Sequence, residues 1–160
     1  MLGNNTAFLV NELLVLGDST TFFLESLRGE QLQVIIESQT ETIEWSHSVI
    51  RRTVKLYFHE PETPVLYCIS VLNVDALTDS EYKGLIGAQL PIGRLFNSLN
   101  TTADIRKTNI HVRQANNPAL AIQLNVRSAM IIEKRYDYWV GDRLIGYISE
   151  FFNEESLKRV

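Results

Sequence analysis

The clearest pattern of hydrophobic and polar positions covers residues 49–58. Apolar residues recur at every second position, with mostly polar residues between them, which predicts a half-buried β-strand. The apolar set contains Ile50, Val54, Leu56 and Phe58. Arg52 occupies the remaining position of this set, whereas its neighbour Arg51 belongs to the polar set. The pattern therefore places one arginine on the buried face of the strand.

Arg52 needs an anion on that face. Arginine is almost never fully buried without a partner, because an isolated charge in an apolar environment is costly. The partner could be a carboxylate of the protein, or the side chain could reach water at the end of the strand. Alternatively, the anion could arrive as part of a ligand. The strand pattern leaves these possibilities open.

The remaining patterns predict short helices and further strands. Apolar residues at helical spacing indicate helices over residues 6–16, 18–29 with Asp18 as the N-cap, 78–86, and 119–124 after Pro118. Alternation indicates strands over residues 32–42, 65–73, 104–114, 129–140 and 144–153. Residues 87–96 form a predicted loop that enters another short helix. Hairpin-linked strands with helices between them indicate an antiparallel α+β fold, and 160 residues suit a single domain over residues 1–160.

The last predicted hairpin, with its turn at Gly141-Asp142, carries an acidic residue among apolar ones. One face of its second strand is expected to hold Leu144, Gly146, Ile148, Glu150 and Phe152. If this face is buried, the carboxyl group of Glu150 is desolvated. Desolvation disfavours the charged form of a carboxyl group, which suits general acid or base chemistry. Glu150 could equally be the structural partner of Arg52.

Composition and charge narrow the possible functions. Fifteen basic and 19 acidic residues, with a net charge of -4 and no long basic run, argue against a nucleic-acid partner. Cys68 is the only cysteine, and the three histidines lie far apart, so we expect no intrachain disulfide and no metal. The apolar stretch near the N-terminus contains Asn11 and Glu12, which fits neither a signal peptide nor a membrane span. We therefore expect a cytoplasmic protein with a small-molecule partner.

Four short motifs follow one another along the chain: Leu16-Gly17-Asp18-Ser19-Thr20-Thr21 before a helix that ends near Gly29, Arg52-Thr53-Val54-Lys55-Leu56, Pro91-Ile92-Gly93-Arg94 before Leu95-Phe96, and Ser149-Glu150-Phe151. Their order and spacing resemble the chorismate pyruvate-lyase (4-hydroxybenzoate synthase) family, in particular its shorter, divergent branch. The resemblance extends from about residue 13 to residue 152. It implies a single antiparallel sheet with helices packed against it and an enclosed ligand cavity.

The resemblance also implies a reaction and its residues. Chorismate would lose pyruvate to give 4-hydroxybenzoate without a cofactor. Arg52 would bind the ring carboxylate together with the backbone N–H groups of Thr20 and Ile92. Glu150 would contact the ring hydroxyl and the bond that breaks, so that Arg52 and Glu150 are the catalytic pair. Thr20 departs from the family pattern, which has a large apolar side chain there, and the loop after Arg94 is one residue shorter.

A dianion such as chorismate also requires a second cation. Arg135, in the strand before the last one, and Arg106 are the candidates that the sequence offers. Either of them could instead be an ordinary surface charge.

Two other functions fit the same residues. The fold also resembles the effector-sensing domain of some bacterial transcription regulators, which binds a small molecule without catalysis. Because the predicted fold begins within about the first 15 residues, we expect such a regulator to carry its DNA-binding domain on a separate chain. A structural protein held by a salt bridge between Arg52 and Glu150 is the third possibility.

Overall fold

A computed structural model describes residues 2–87 and 89–160 of the chain. The elements follow in the order α1 (Leu2–Val15), α2 (Thr20–Arg28), β1 (Gln33–Glu44), β2 (His47–Tyr57), β3 (Leu66–Asn73), a 3-10 turn (Val74–Ala76), α3 (Asp79–Gly87), α4 (Ile92–Leu99), β4 (Ile105–Asn116), α5 (Pro118–Leu124), β5 (Met130–Val140), β6 (Arg143–Phe152) and α6 (Glu154–Leu157). Ala88, inside the loop predicted over residues 87–96, lies outside the described residues.

The six strands form one antiparallel sheet in the order β1-β2-β3-β6-β5-β4. The first three strands make one half of the sheet and the last three make the other, and β3 pairs with β6 where the halves meet. Across the centre, Arg52 lies opposite Ser70, and Ser70 lies opposite Ile148. Glu150 is two residues beyond Ile148 and therefore shares the face of Arg52. The predicted α+β class with a single antiparallel sheet is confirmed.

Helices cover the two faces of this sheet unequally. Apolar residues of α1 and α2 pack against one end of the face that carries Arg52, as Leu13 and Leu24 do against Leu56. Apolar residues of α3 and α4 pack against the other end of the same face. On the opposite face, α5 contributes Leu124 to a smaller cluster. The face with Arg52 is therefore the one that several helices can close off from water.

The start of α2 differs from the prediction by one residue. Ser19, and not Asp18, is the N-cap: its backbone is extended, and its hydroxyl accepts a hydrogen bond from the backbone N–H of Phe22. Asp18 stands one position too early for this contact, because an N-cap side chain bonds the N–H two or three residues later. The predicted end of the helix is confirmed, since Gly29 is its C-cap with a left-handed backbone.

A β-bulge in the last hairpin changes the predicted face of Leu144. Tyr138 pairs with Gly146, whereas Trp139 pairs with Leu144, so that Ile145 is an extra residue in β6. The extra residue reverses the alternation: Ile145 is fully buried and Leu144 is 42% exposed. The prediction that Leu144 shares the face of Glu150 is therefore wrong, whereas Ile148, Glu150 and Phe152 are all buried.

Some element boundaries also differ from the predictions. α1 begins at Leu2 and not at Thr6, and α4 begins at Ile92, so that the second half of the predicted loop is helical. The short helix α6 was not predicted. It is held by a capping box in which Asn153 and Ser156 bond each other's backbone N–H groups, and its four residues are too few to show a helical period. Pro118 at the start of α5 is confirmed.

Candidate functional site

A cavity of about 390 Å³ lies between the sheet and the helices. Five residues that the sequence analysis selected line it: Thr20 from α2, Arg52 from β2, Ile92 from α4, Arg106 from β4 and Glu150 from β6. These residues are far apart in the chain, and the antiparallel pairing of β2, β3 and β6 brings Arg52 and Glu150 to the same face. A volume of this size suits a small organic molecule.

Arg52 is buried with most of its hydrogen-bonding capacity unused. Its residue is 1% exposed, which confirms the strand alternation. One terminal nitrogen donates to the carbonyl oxygen of Leu90 at 2.7 Å, whereas Nε and the other terminal nitrogen have no partner among the described residues. Burial lowers the pKa of Arg52 to about 10. A guanidinium with two free donors inside a cavity is ready to bind a planar anion such as a carboxylate.

Glu150 has partners other than Arg52. Its carboxylate accepts hydrogen bonds from the hydroxyl groups of Thr20 and Tyr136, each at 3.1 Å. Arg52 and Glu150 both lie in the described part of the chain, and they form no salt bridge with each other. Burial, reinforced by the charge of Glu150, raises the pKa of Tyr136 well above its usual value, so its hydroxyl remains a donor. The salt bridge between Arg52 and Glu150, which the sequence left open as one alternative, is therefore not present between these two residues.

The N-termini of two helices meet at the cavity. The N-cap of α4 is Pro91, and no side chain in the described part of the chain caps the helix, so its first backbone N–H groups lack a side-chain partner there. A Cβ atom on Gly93 would lie 2.9 Å from the hydroxyl oxygen of Ser19, and the absence of that atom allows the start of α4 to approach the start of α2. An ion pair between Arg94 and Glu25 joins the same two helices. Both helix starts contribute partial positive charge to this end of the cavity.

Lys107 is a cavity residue that the sequence analysis missed. It projects from β4, and its Nζ donates to the hydroxyl of Thr20 at 2.8 Å and lies 4.5 Å from the centre of the Tyr136 ring. Burial lowers the pKa of Lys107. A signal was present in the sequence. Lys107 is two positions after Ile105 and so shares its face of the strand, as Arg52 shares a face with its apolar neighbours, and both Ile105 and Lys107 line the cavity.

The two predicted arginines occupy other positions. Arg106 lies at the border of the cavity, where it donates to the carbonyl of Gly141 at 2.5 Å and stacks 4.9 Å from the Trp139 ring centre. Arg135 is exposed, lies 4.0 Å from the ring centre of Tyr147 and does not line the cavity. Neither geometry adds support for a direct contact with a ligand.

Lys134 is a second buried cation on this face and was also missed. It lies opposite Glu150 in the sheet, yet its Nζ donates to the carbonyl oxygens of Leu13 and Leu16, each at 2.6 Å. These carbonyls belong to the C-terminal end of α1, where a cation is favourable. Burial and the nearby charge of Lys107 lower the pKa of Lys134 to about 8. Lys134 therefore holds α1 against the sheet beside the cavity.

Known proteins resemble this chain in structure. No family model matches it, and no curated protein matches it in sequence. PhnF from Mycobacterium smegmatis has a TM-score of 0.68 and 11% identity, over 89% of this chain and 67% of that one. The effector domain of PhnF on its own gives a TM-score of 0.60 at 12% identity, over 84% of this chain and 86% of that one.

Two other solved structures share the fold. The C-terminal domain of the histidine utilization repressor from Pseudomonas syringae pv. tomato has a TM-score of 0.57 and 11% identity, over 79% of this chain and 94% of that one. A GntR-family transcriptional regulator from Bacillus cereus has a TM-score of 0.52 and 9% identity, over 75% of this chain and 89% of that one. Identities this low show the fold alone. Among the described residues, no helix is long and apolar enough to cross a membrane.

Proposed function

We propose that the chain is a small-molecule-binding domain whose ligand presents an acidic group to Arg52. The observation that carries this proposal is the buried guanidinium with two unpaired donors. An unpaired buried charge is costly, and an anion in the cavity would remove that cost. The uncapped start of α4, with Ile92 in the cavity wall, would supply further donors to the same group.

The fold favours a regulatory use of this binding. The solved structures that resemble the chain include an effector domain and the C-terminal domain of a repressor. By analogy, the ligand would be an effector whose occupancy is communicated to a transcription regulator, with no chemical change to the ligand. This analogy rests on fold, whereas the choice of an anion rests on Arg52.

A second candidate function is chorismate lyase activity. The observation that favours it is a carboxylate in the same cavity, because Glu150 is buried there and held by Thr20 and Tyr136. In this reaction the C–O bond to the enolpyruvyl group breaks, the ring loses one proton, and enolpyruvate takes up a proton to become pyruvate. Arg52 would position the substrate by holding the ring carboxylate, and Glu150 would act as a general acid or base in a proton transfer.

One experiment tests both functions. Pure protein is titrated calorimetrically with 4-hydroxybenzoate and is separately incubated with chorismate, with and without a chelator, followed by chromatography for 4-hydroxybenzoate and pyruvate. Binding without turnover supports the effector-binding function. Equal amounts of the two products, unaffected by the chelator, support the lyase. If a set of small carboxylates and phosphates fails to bind and chorismate is unchanged, both proposals are wrong.

A further inference from the structure

Lys107 brings a second positive charge into the cavity of Arg52. Its Nζ has one hydrogen bond, to the hydroxyl of Thr20, and lies over the face of the Tyr136 ring. Within residues 2–87 and 89–160, Lys107 forms no salt bridge. An ammonium group has three donors, so donors remain for a partner inside the cavity.

The interior around the cavity has more positive than negative charge. Arg52 and Lys107 are cations that line the cavity, and Glu150 is the buried carboxylate that lines it with them. Lys134 lies on the same face of the sheet but outside the cavity lining, where it bonds the end of α1. Glu150 already accepts hydrogen bonds from two neutral hydroxyl groups and forms no salt bridge with any of the three cations. At the rim of the cavity, Asp18 and Arg106 carry opposite charges. The excess of positive charge therefore lies inside the cavity.

The two cavity cations lie on the same face of the sheet but come from strands near opposite ends of the strand order. Arg52 is on β2 and Lys107 is on β4, which are four strand spacings apart in the order of the sheet. This separation is about 19 Å between the strand backbones. The floor between them contains Ser70, Ile148 and Tyr136. The cavity thus has a cation at each side and a largely apolar and aromatic floor.

We infer that Lys107 is a ligand-binding residue that selects molecules with a second acidic group. The ligand class is a small organic diacid, with carboxylate or phosphate groups, whose first acidic group meets Arg52 and whose second meets Lys107. Its body would lie over Tyr136 and Ile148. This inference rests on the proposed anion site at Arg52 and adds a specificity that the Arg52 contact alone does not provide.

The test compares monoacid and diacid probes in two variants. Benzoate, terephthalate and isophthalate are titrated calorimetrically into the wild type, Lys107→Gln and Arg135→Gln. The two diacids differ in the separation of their carboxylates, and at least one should bind the wild type about 10- to 100-fold more tightly than benzoate, as expected for a hydrogen bond to a charged group. In Lys107→Gln this advantage should vanish while benzoate affinity stays within about twofold.

Arg135→Gln is the matched control. It removes the same charge from an exposed position outside the cavity, so the advantage of the diacid should persist. Equal affinities of benzoate and both diacids in the wild type would overturn the inference and leave the anion site at Arg52 intact. A loss of benzoate and diacid binding by the same factor in Lys107→Gln would also overturn it, because Lys107 would then only position Thr20. If none of the probes binds the wild type, the proposed function fails first.

Discussion

Replacing Arg52 by methionine should remove ligand binding without destabilising the ligand-free protein. Arg52 is 1% exposed and lacks an anionic partner within the described chain, so burial of its charge is unfavourable in the ligand-free protein. Burial lowers its pKa from the ordinary arginine value to about 10. At about 1.4 kcal/mol for each pKa unit, this lowering corresponds to a penalty of about 3.5 kcal/mol on the charged form.

The substitution also removes a favourable contact. The hydrogen bond from Arg52 to the carbonyl of Leu90 is worth about 1.5–3 kcal/mol, since its donor is charged. The two terms leave a net change in the free energy of unfolding between about 0 and +2 kcal/mol. For a chain of this size, the melting temperature of Arg52→Met without ligand should therefore lie between the wild-type value and about 8 °C above it.

Ligand reverses the order of stability. A ligand at 100 times its dissociation constant stabilises the wild type by about 2.7 kcal/mol. Losing a buried charged partner costs about 2–5 kcal/mol, so Arg52→Met should bind 4-hydroxybenzoate, or a tighter probe acid, about 30- to several-thousand-fold more weakly. The variant should then show no thermal shift at ligand concentrations that shift the wild type.

Arg51→Met is the neighbouring control. Arg51 is on the outer face, where it pairs with Glu44 at 3.0 Å and both side chains are partly exposed. Its replacement should change stability by no more than about 1 kcal/mol and leave affinity unchanged. The assay is differential scanning calorimetry with and without ligand. If Arg52→Met alone loses 3 kcal/mol or more without ligand, Arg52 has a structural partner and the argument for a ligand site is refuted.

Three further predictions concern other residues. Glu150→Gln should lower any chorismate turnover by about 10²- to 10⁴-fold while 4-hydroxybenzoate still binds, and unchanged product formation would limit Glu150 to a structural role. Although burial opposes it, hydrogen bonds from Arg143, the Thr78 N–H and Asn100 lower the pKa of Glu81 to about 2. The ionised Glu81 therefore stabilises the fold by up to about 3 kcal/mol, and this contribution is complete above pH 4.5 and is lost as the pH falls towards 2. In Glu81→Gln, the urea midpoint should depend less on pH in this range than in the wild type. Gly146→Ala should cost about 3 kcal/mol or more, because its Cβ would lie 2.0 Å from the Val71 carbonyl oxygen, whereas Gly17→Ala, with no atom within 4 Å, should leave the melting temperature nearly unchanged.

The sequence by itself determined which side of β2 and β6 each charged residue takes. Arg52 and Glu150 fall among apolar residues at a period of two, and a strand without a bulge places alternate side chains on opposite faces. The antiparallel hairpins and the α+β class followed from the same periodicity. Ordinary turn and capping chemistry also located the end of α2 at Gly29 and the start of α5 at Pro118.

Only the tertiary structure decided what these residues contact. The bulge at Ile145 depends on how β6 pairs with β5, so the alternation of β6 alone misplaced Leu144. Whether Arg52 pairs with Glu150 depended on the tertiary packing: α2 brings the hydroxyl of Thr20 to Glu150, and within the described residues the guanidinium has no carboxylate partner.

For Lys107, too, the sequence indicated the face of the strand and the tertiary structure decided the contact. The sequence shows that Lys107 shares a face of its strand with Ile105. A lysine on the inner face of an edge strand can nevertheless reach water as easily as a cavity. The order of the strands and the packing of α2 turn it towards Thr20, 87 positions away in the chain. Local periodicity assigns a side chain to a face, because it depends on the backbone of one strand. Long-range packing assigns its partner, because partners come from elements that the local pattern does not relate.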